Sequence, residues 1–197
     1  MNEKQSALLQ QLQAEVLQAN TYMNLTAITD PTDFAVKHII DSMTVLPYIP
    51  QGAAVLDLGT GAGFPGLVIA VLRDDVKLTL MDSTRKKINF VAETAKKLGL
   101  TVECVHARAE EAKKTHGSKY DICTARAVAS LDKLITWGLP LLKPGGRLLA
   151  MKSTSNESTL PEAVTALTKQ NGKITNIQSC TIAEDTQRCI IEVTRLK

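Results

Sequence analysis

Between Val55 and Ala70 the chain reads VLDLGTGAGFPGLVIA, an apolar strand pattern that runs into a glycine-rich turn and then into an apolar helix start. Such a turn lets the backbone approach a ligand with no Cβ in the way, and the helix behind it offers N–H groups. Two spacings overlap here. Gly59, Gly61 and Gly63 spell GxGxG, while Gly61, Gly63 and Gly66 spell GxGxxG, the dinucleotide fingerprint. By themselves the glycines suit a nicotinamide dinucleotide and S-adenosylmethionine alike. Asp57, at the end of the first strand, separates the two: it would repel a pyrophosphate and attract the ammonium and sulfonium of S-adenosylmethionine. Asp82, 21 residues beyond Gly61 at the end of VKLTLMD, can accept ribose hydroxyls from either cofactor. No tyrosine is followed four positions later by lysine, so the Tyr-x-x-x-Lys pair of short-chain dehydrogenases is missing.

Around this turn, strand and helix patterns alternate. AAVLDLG, VKLTLMD, LTVECVHA and YDICTA read as strands. FPGLVIAVL, the stretch from Thr84 to Leu98 and the stretch around Leu131 to Leu142 read as helices. RAEEAKKTHGSK reads as a loop. A further helix is expected near 157–169, and KITNIQSCTIA with QRCIIEVTRL reads as an antiparallel hairpin closing one edge. Upstream, Leu8, Leu12 and Val16 predict an amphipathic helix over about residues 3–19, and Asp30-Pro31 starts a second. Pro47 and Pro50 mark a linker, which divides the chain into a helical extension, 1–50, and a catalytic domain, 51–197.

Composition narrows the function classes. With 197 residues and 44% apolar content the chain builds one core. Its four cysteines make no CxxC pair, so no metal site or disulfide framework is predicted, and a reduced cytoplasmic location is expected. No apolar run reaches the roughly 20 residues that span a bilayer, so no membrane partner is expected. A net charge of +3 permits a nucleic-acid partner without demanding one.

The run LPLLKPGGRLLAMK looks like the turn before the fifth strand of S-adenosylmethionine-dependent methyltransferases. With it in place, the sequence resembles the RsmG family (also called GidB), bacterial methyltransferases of 16S ribosomal RNA. The resemblance is carried in order by NLTAITDPTDFAVKHIIDS, VLDLGTGAGFPG, LMDSTRKKINF, HARAEE and YDICTARAVASL. It implies a Rossmann-like class I α/β fold. The sheet would be seven-stranded and mostly parallel, with an antiparallel C-terminal strand, behind the N-terminal helical extension. It also implies S-adenosylmethionine as cofactor and N7 of a guanine as acceptor, the one usually numbered 527 in the 530 loop. The substrate would be the rRNA, in a 30S subunit or an assembly intermediate, acted on by a monomer. Carried over by position, Gly59, Gly61 and Phe64 contact the methionine and adenosine parts of the cofactor, and Asp82 is the ribose acid. Ala109 and Glu110 hold adenine, and Arg126 stands at the mouth of the site. One departure is Ser153, where the family pattern has glycine after the lysine.

Guanine N7 has an in-plane lone pair and no hydrogen, so its methylation needs no general base. The Asn/Asp-Pro-Pro-aromatic tetrad of amino-group methyltransferases is replaced here by DICTAR. Catalysis then rests on orientation, and Arg126 is read as a positioning residue. Aromatic residues are only 4% of the chain, which disfavours a stacking platform. Phosphate contacts are assigned instead to Arg85, Lys86 and Lys87, with Arg126 and Lys152, and His38 is a substrate-side candidate. Three alternatives remain at this stage: a small-molecule methyltransferase, an NAD(P)-dependent oxidoreductase, and a ribosome-binding protein without catalysis.

Overall fold

The computed structural model describes residues 1–153, 160–183 and 186–197. Helix α1, Glu3–Met23, begins at Asn2, whose side chain accepts from Gln5 N while the Gln5 side chain accepts from Asn2 N, a reciprocal cap. It buries Leu9, Leu12, Val16 and Ala19 at helical spacing. It runs past residue 19 because hydrogen bonding continues through exposed Tyr22 until Asn24 turns left-handed, at φ 51°.

A second helical run starts at Asp30, which accepts from Asp33 N, with Pro31 in the first turn. It comprises α2, Pro31–Phe34, a wider π-helical stretch, Ala35–Ile40, and α3, Asp41–Met43. Such stretches are frequent at functional sites. This one carries His38.

The alternating elements follow: β1 Ala54–Leu58, α4 Gly66–Leu72, β2 Lys77–Asp82, α5 Arg85–Lys97, β3 Glu103–His106, α6 Lys113–His116, β4 Tyr120–Arg126, α7 Leu131–Gly138, β5 Leu142–Lys152, α8 Leu160–Lys169, β6 Gly172–Ala183 and β7 Thr186–Arg195. They form one seven-stranded sheet in the order β3-β2-β1-β4-β5-β7-β6. All pairings are parallel except those of β7, antiparallel to both β5 and β6. The predicted fold class and terminal hairpin are thus present. Three boundaries differ. The stretch expected to be a loop after β3 contains α6, the helix expected to reach Leu142 gives way at Leu139 to a single 3₁₀ turn, and β5 takes in the KPGG turn. The first residues of the helix expected at 157–169 lie outside the described residues.

Strand alternation splits the core in two. Val55, Leu78, Leu80, Ile122 and Leu149 face α1, α4, α5 and the second helical run. Leu56, Leu58, Cys123, Ala125, Leu148 and Val193 face α7 and α8. Leu12 and Val16 have no exposed surface. A fully buried side chain of this size contributes about 2 kcal/mol, so α1 is part of the core. Strand order reverses at β1, between β2 and β4, and ligands of such sheets bind outside the carboxyl ends at that point.

Candidate active site

The glycine turn after β1 is wired inward. Gly59 N and Thr60 N donate to Met81 O, Gly63 N and Phe64 N to Thr60 O, Leu67 N to Gly63 O, and Gly61 N to Asp82 Oδ2 at 2.9 Å. Gly66 N donates to Asp57 Oδ2, also at 2.9 Å. Most of the amides that could cradle a pyrophosphate are therefore engaged within the protein.

The expected role of Asp57 is corrected by this geometry. Its side chain is fully buried, with Oδ2 on Gly66 N and Oδ1 accepting from the Thr124 hydroxyl at 2.9 Å, so it braces the turn from beneath and does not face the cleft. Burial pushes its carboxyl above the ordinary range, opposed by the Thr60 and Thr124 hydroxyls, the Gly66 amide and the Arg126 charge. Thr60 Oγ1, buried at the cleft wall, makes no hydrogen bond of good geometry among the described residues. Close approach explains Gly66: a Cβ there would stand 2.0 Å from Leu80 Cδ2. Gly59 adopts φ 72°, and Val128 lies where its Cβ would be. Gly63 packs on Leu67, and no part of it lines the cleft.

The cleft at the carboxyl edge has a volume of about 970 Å³. That is room for a nucleoside-sized ligand with part of a second molecule. At one end Asp82 Oδ1 accepts from Thr84 N at 2.7 Å and Oδ2 from Gly61 N, which orients the carboxylate while each oxygen keeps a second lone pair. Gly59, Gly61, Phe64, Asp82, Ala109 and Glu110 all line this cleft, as the sequence reading placed them. Trp137 joins them on the wall. A Cβ on Gly61 would project into open space, with Gly59 O nearest at 3.9 Å. The bare backbone there and an oriented carboxylate opposite fit an adenosine-bearing cofactor.

The other end is built by the π-helical stretch and β4. Arg126 donates from Nη1 to Lys37 O at 2.9 Å and to Asp41 Oδ2 at 3.0 Å, and from Nη2 to His38 Nδ1 at 2.9 Å. Its guanidinium also lies over Phe64, 5.4 Å from the ring centre. Because Nδ1 accepts, the His38 proton sits on Nε2 and is donated to Thr26 Oγ1 at 2.8 Å. Burial, and next the Arg126 charge, push the His38 pKa down from 6.5 to about 4, so the ring is neutral near pH 7. Lys152, half-buried, donates from Nζ to Ala129 O, and burial lowers its pKa.

Of the expected phosphate-contact residues, Lys87, Arg126 and Lys152 line the cleft, as do the substrate-side candidate His38 and Ser153. Arg85 and Lys86 do not. Successive helical residues turn by about 100°, which aims both into solvent while Lys87 faces the cleft. The sequence reading missed Asp41, Arg188 and Trp137. Asp41 is 2% exposed and joins Arg126 to Arg188, whose Nε donates to Asp41 Oδ1 at 3.0 Å. Only HIIDS, with its acid three residues after the histidine, hinted at Asp41.

Residues 5–190 match the family described as rRNA small subunit methyltransferase G. The chain belongs to this family. Ribosomal RNA small subunit methyltransferase G of Desulforamulus reducens is 42% identical over 182 residues, covering 90% of this chain and 76% of its own. The protein of the same name from Oenococcus oeni is 35% identical and covers 100% of this chain and 84% of its own. Among solved structures, a methyltransferase from Pyrococcus furiosus aligns with a TM-score of 0.68 at 14% identity, over 98% of this chain and 100% of that one. A SAM-dependent methyltransferase from Aquifex aeolicus gives 0.63 at 17%, over 92% and 97%. At these identities the two structures show a shared fold. The methyltransferase G family membership agrees with the resemblance carried by the ordered sequence motifs. Among the described residues no helix is long and apolar enough to cross a membrane, and no cluster of side chains could hold a metal ion.

Proposed function

We propose that the protein methylates N7 of a guanine in 16S ribosomal RNA, guanine 527 of the 530 loop, with S-adenosylmethionine as methyl donor. The observation that carries the cofactor reading is the inward wiring of the glycine turn. With most of its amides given to Met81, Asp57, Asp82 and Thr60, the turn offers few donors to a pyrophosphate, while its bare Cα surface faces Asp82 across the cleft. When bound, S-adenosylmethionine supplies an electrophilic methyl group on a sulfonium. Gly59, Gly61 and Phe64 would border its methionine and sugar, Asp82 would accept from the ribose, and Ala109 and Glu110 would flank the adenine.

The acceptor reading follows from what the titratable groups at the substrate end are doing. His38 has both ring nitrogens engaged and resists protonation, so it orients Arg126 and does not take a proton from the substrate. A ring nitrogen with its lone pair in place asks for no base. The task left to the protein is to hold the base in line with the methyl group. The N7 edge lies in the deep, narrow groove of A-form RNA, so the target base belongs to a loop or open junction. In this reading residues 1–50 are an extension that walls the substrate end, 51–197 are the methyltransferase domain, and the enzyme works as a cytoplasmic monomer on a 30S subunit or an assembly intermediate.

Calorimetry with each cofactor, followed by transfer of tritium from labelled S-adenosylmethionine to 30S particles or to metabolite pools, tests the proposal. Binding of S-adenosylmethionine with label in 16S rRNA is expected. Preferential binding of NAD, or label in small molecules alone, overturns it.

A further inference from the structure

Arg188 comes from β7, far from every motif that marks the cleft, yet it lines the cleft and ends on the same carboxylate as Arg126. Asp41 is 2% exposed and gives one oxygen to each guanidinium, at 3.0 Å in both cases. One arginine suffices to neutralise a buried carboxylate. The second leaves the triad with a net positive charge, and that charge opens onto the cleft.

The two arginines spend their donors differently. Arg126 turns inward, to Lys37 O, Asp41 and His38, with its side chain 15% exposed. Arg188 gives Nε to Asp41 and Nη1 to Gln187 O, and its Nη2 has no partner among the described residues. Its side chain keeps 25% exposure. A guanidinium fixed at Nε by a buried carboxylate and at Nη1 by a backbone carbonyl, with Nη2 left to donate among the described residues, is pre-organised for an anion. The planar fork matches phosphate oxygens, and anchoring removes part of the rotamer entropy that binding would otherwise cost.

Position decides which anion. Arg188 lies beside the end of β5, since its neighbour Cys189 pairs with Lys152, and in sheet order β5 and β7 stand on the opposite side of β1 from β2 and β3. The Asp82 and Ala109 end of the cleft belongs to β2 and β3. Arg188 is therefore at the substrate end.

We propose that Arg188, held by Asp41 against Arg126, binds a phosphodiester of the RNA strand that carries the target base. The inference rests on the reading of the substrate as RNA. Its test is the salt dependence of binding to undermethylated 30S subunits by the wild-type protein, Arg188→Gln and Arg188→Lys, with cofactor affinity measured by calorimetry and folding by thermal denaturation. Losing one phosphate contact should weaken Arg188→Gln about tenfold, raise its KM for the particle similarly, and flatten the slope of log K against log salt by about 0.7. Arg188→Lys, which keeps the charge without the fork, should recover most of the slope and part of the affinity. Cofactor affinity should be unchanged in both. An unchanged slope in folded Arg188→Gln overturns the inference, because an arginine that merely ties β7 to the helices would lower the melting temperature without altering it. A loss of cofactor affinity in its place also overturns it. A wild-type protein that neither binds nor methylates the particle fails the RNA reading itself, before any variant is compared.

Discussion

His38 accepts at Nδ1 the hydrogen bond that Arg126 donates from Nη2 at 2.9 Å, and with the Arg126 bond to Lys37 O this contact ties the π-helical stretch to the end of β4. Burial first, and this guanidinium second, keep the histidine neutral. With Nδ1 occupied by a donor and the ring stacked on Phe64 at 4.8 Å, an added proton would have no acceptor on that side and would face a cation.

Stability should therefore depend on His38 in acid. Its folded pKa, about 4, lies below the ordinary 6.5, so the unfolded chain binds the proton more readily. The contribution is complete above about pH 6.5 and is lost as pH falls towards 4, up to about 3 kcal/mol in total. His38→Gln, whose amide can accept from Arg126 and donate to Thr26, should lose this slope between pH 6.5 and 4 in urea titrations. An identical slope in the variant would place the titrating group elsewhere.

The brace beneath the glycine turn should respond to shape before charge. Asp57→Ala strands the Gly66 amide in a dry site and leaves the Thr124 hydroxyl only the Leu56 carbonyl at 3.4 Å, and should cost about 2 to 4 kcal/mol. Asp57→Asn keeps an acceptor for Gly66, and the Thr124 hydroxyl can rotate to accept, so the loss should be under half of that. Gly66→Ala drives a methyl to 2.0 Å from Leu80 Cδ2 and 2.8 Å from Asp57 Oδ2, an overpacking cost of about 1 to 3 kcal/mol. Denaturant midpoints report all three; Asp57→Asn as damaging as Asp57→Ala would mean the negative charge itself holds the turn.

Asp82 should matter to the cofactor more than to the fold. Its side chain reaches the cleft while orienting Gly61 N and Thr84 N, so Asp82→Ala should weaken S-adenosylmethionine by about 10- to 100-fold in calorimetry. Undiminished affinity would remove the carboxylate from the cofactor's contacts.

Lys152 should act through the loop after β4. Its ammonium holds Ala129 O, and the same loop lays Val128 against Gly59. Lys152→Met retains the apolar stem and loses the tie, which should weaken the cofactor by about fivefold with a stability change near 1 kcal/mol. Unaltered cofactor affinity would show that the loop holds its place without the lysine.

Much of this was legible in the sequence, and what was not has physical reasons. The glycine spacing, Asp82 at the end of β2 and the alternation of helix and strand located the cleft because they are local. Asp57 was misjudged because β1 is buried on both faces after its first residue, so its apolar run carries no signal of which way each side chain points. Arg85, Lys86 and Lys87 are consecutive and carry the same charge, and only the rotation of α5 selects Lys87. Arg188 and Asp41 are 147 residues apart and meet because β7 returns antiparallel beside β5, a relationship no spacing announces.

The most direct test of the account is mass-spectrometric mapping of 16S rRNA after incubating the protein and S-adenosylmethionine with undermethylated 30S subunits. A single new methyl group on N7 of guanine 527 is predicted. A methyl group on an exocyclic amine, on a ribose or on a different nucleotide, or no incorporation by a preparation that binds the cofactor, would contradict it.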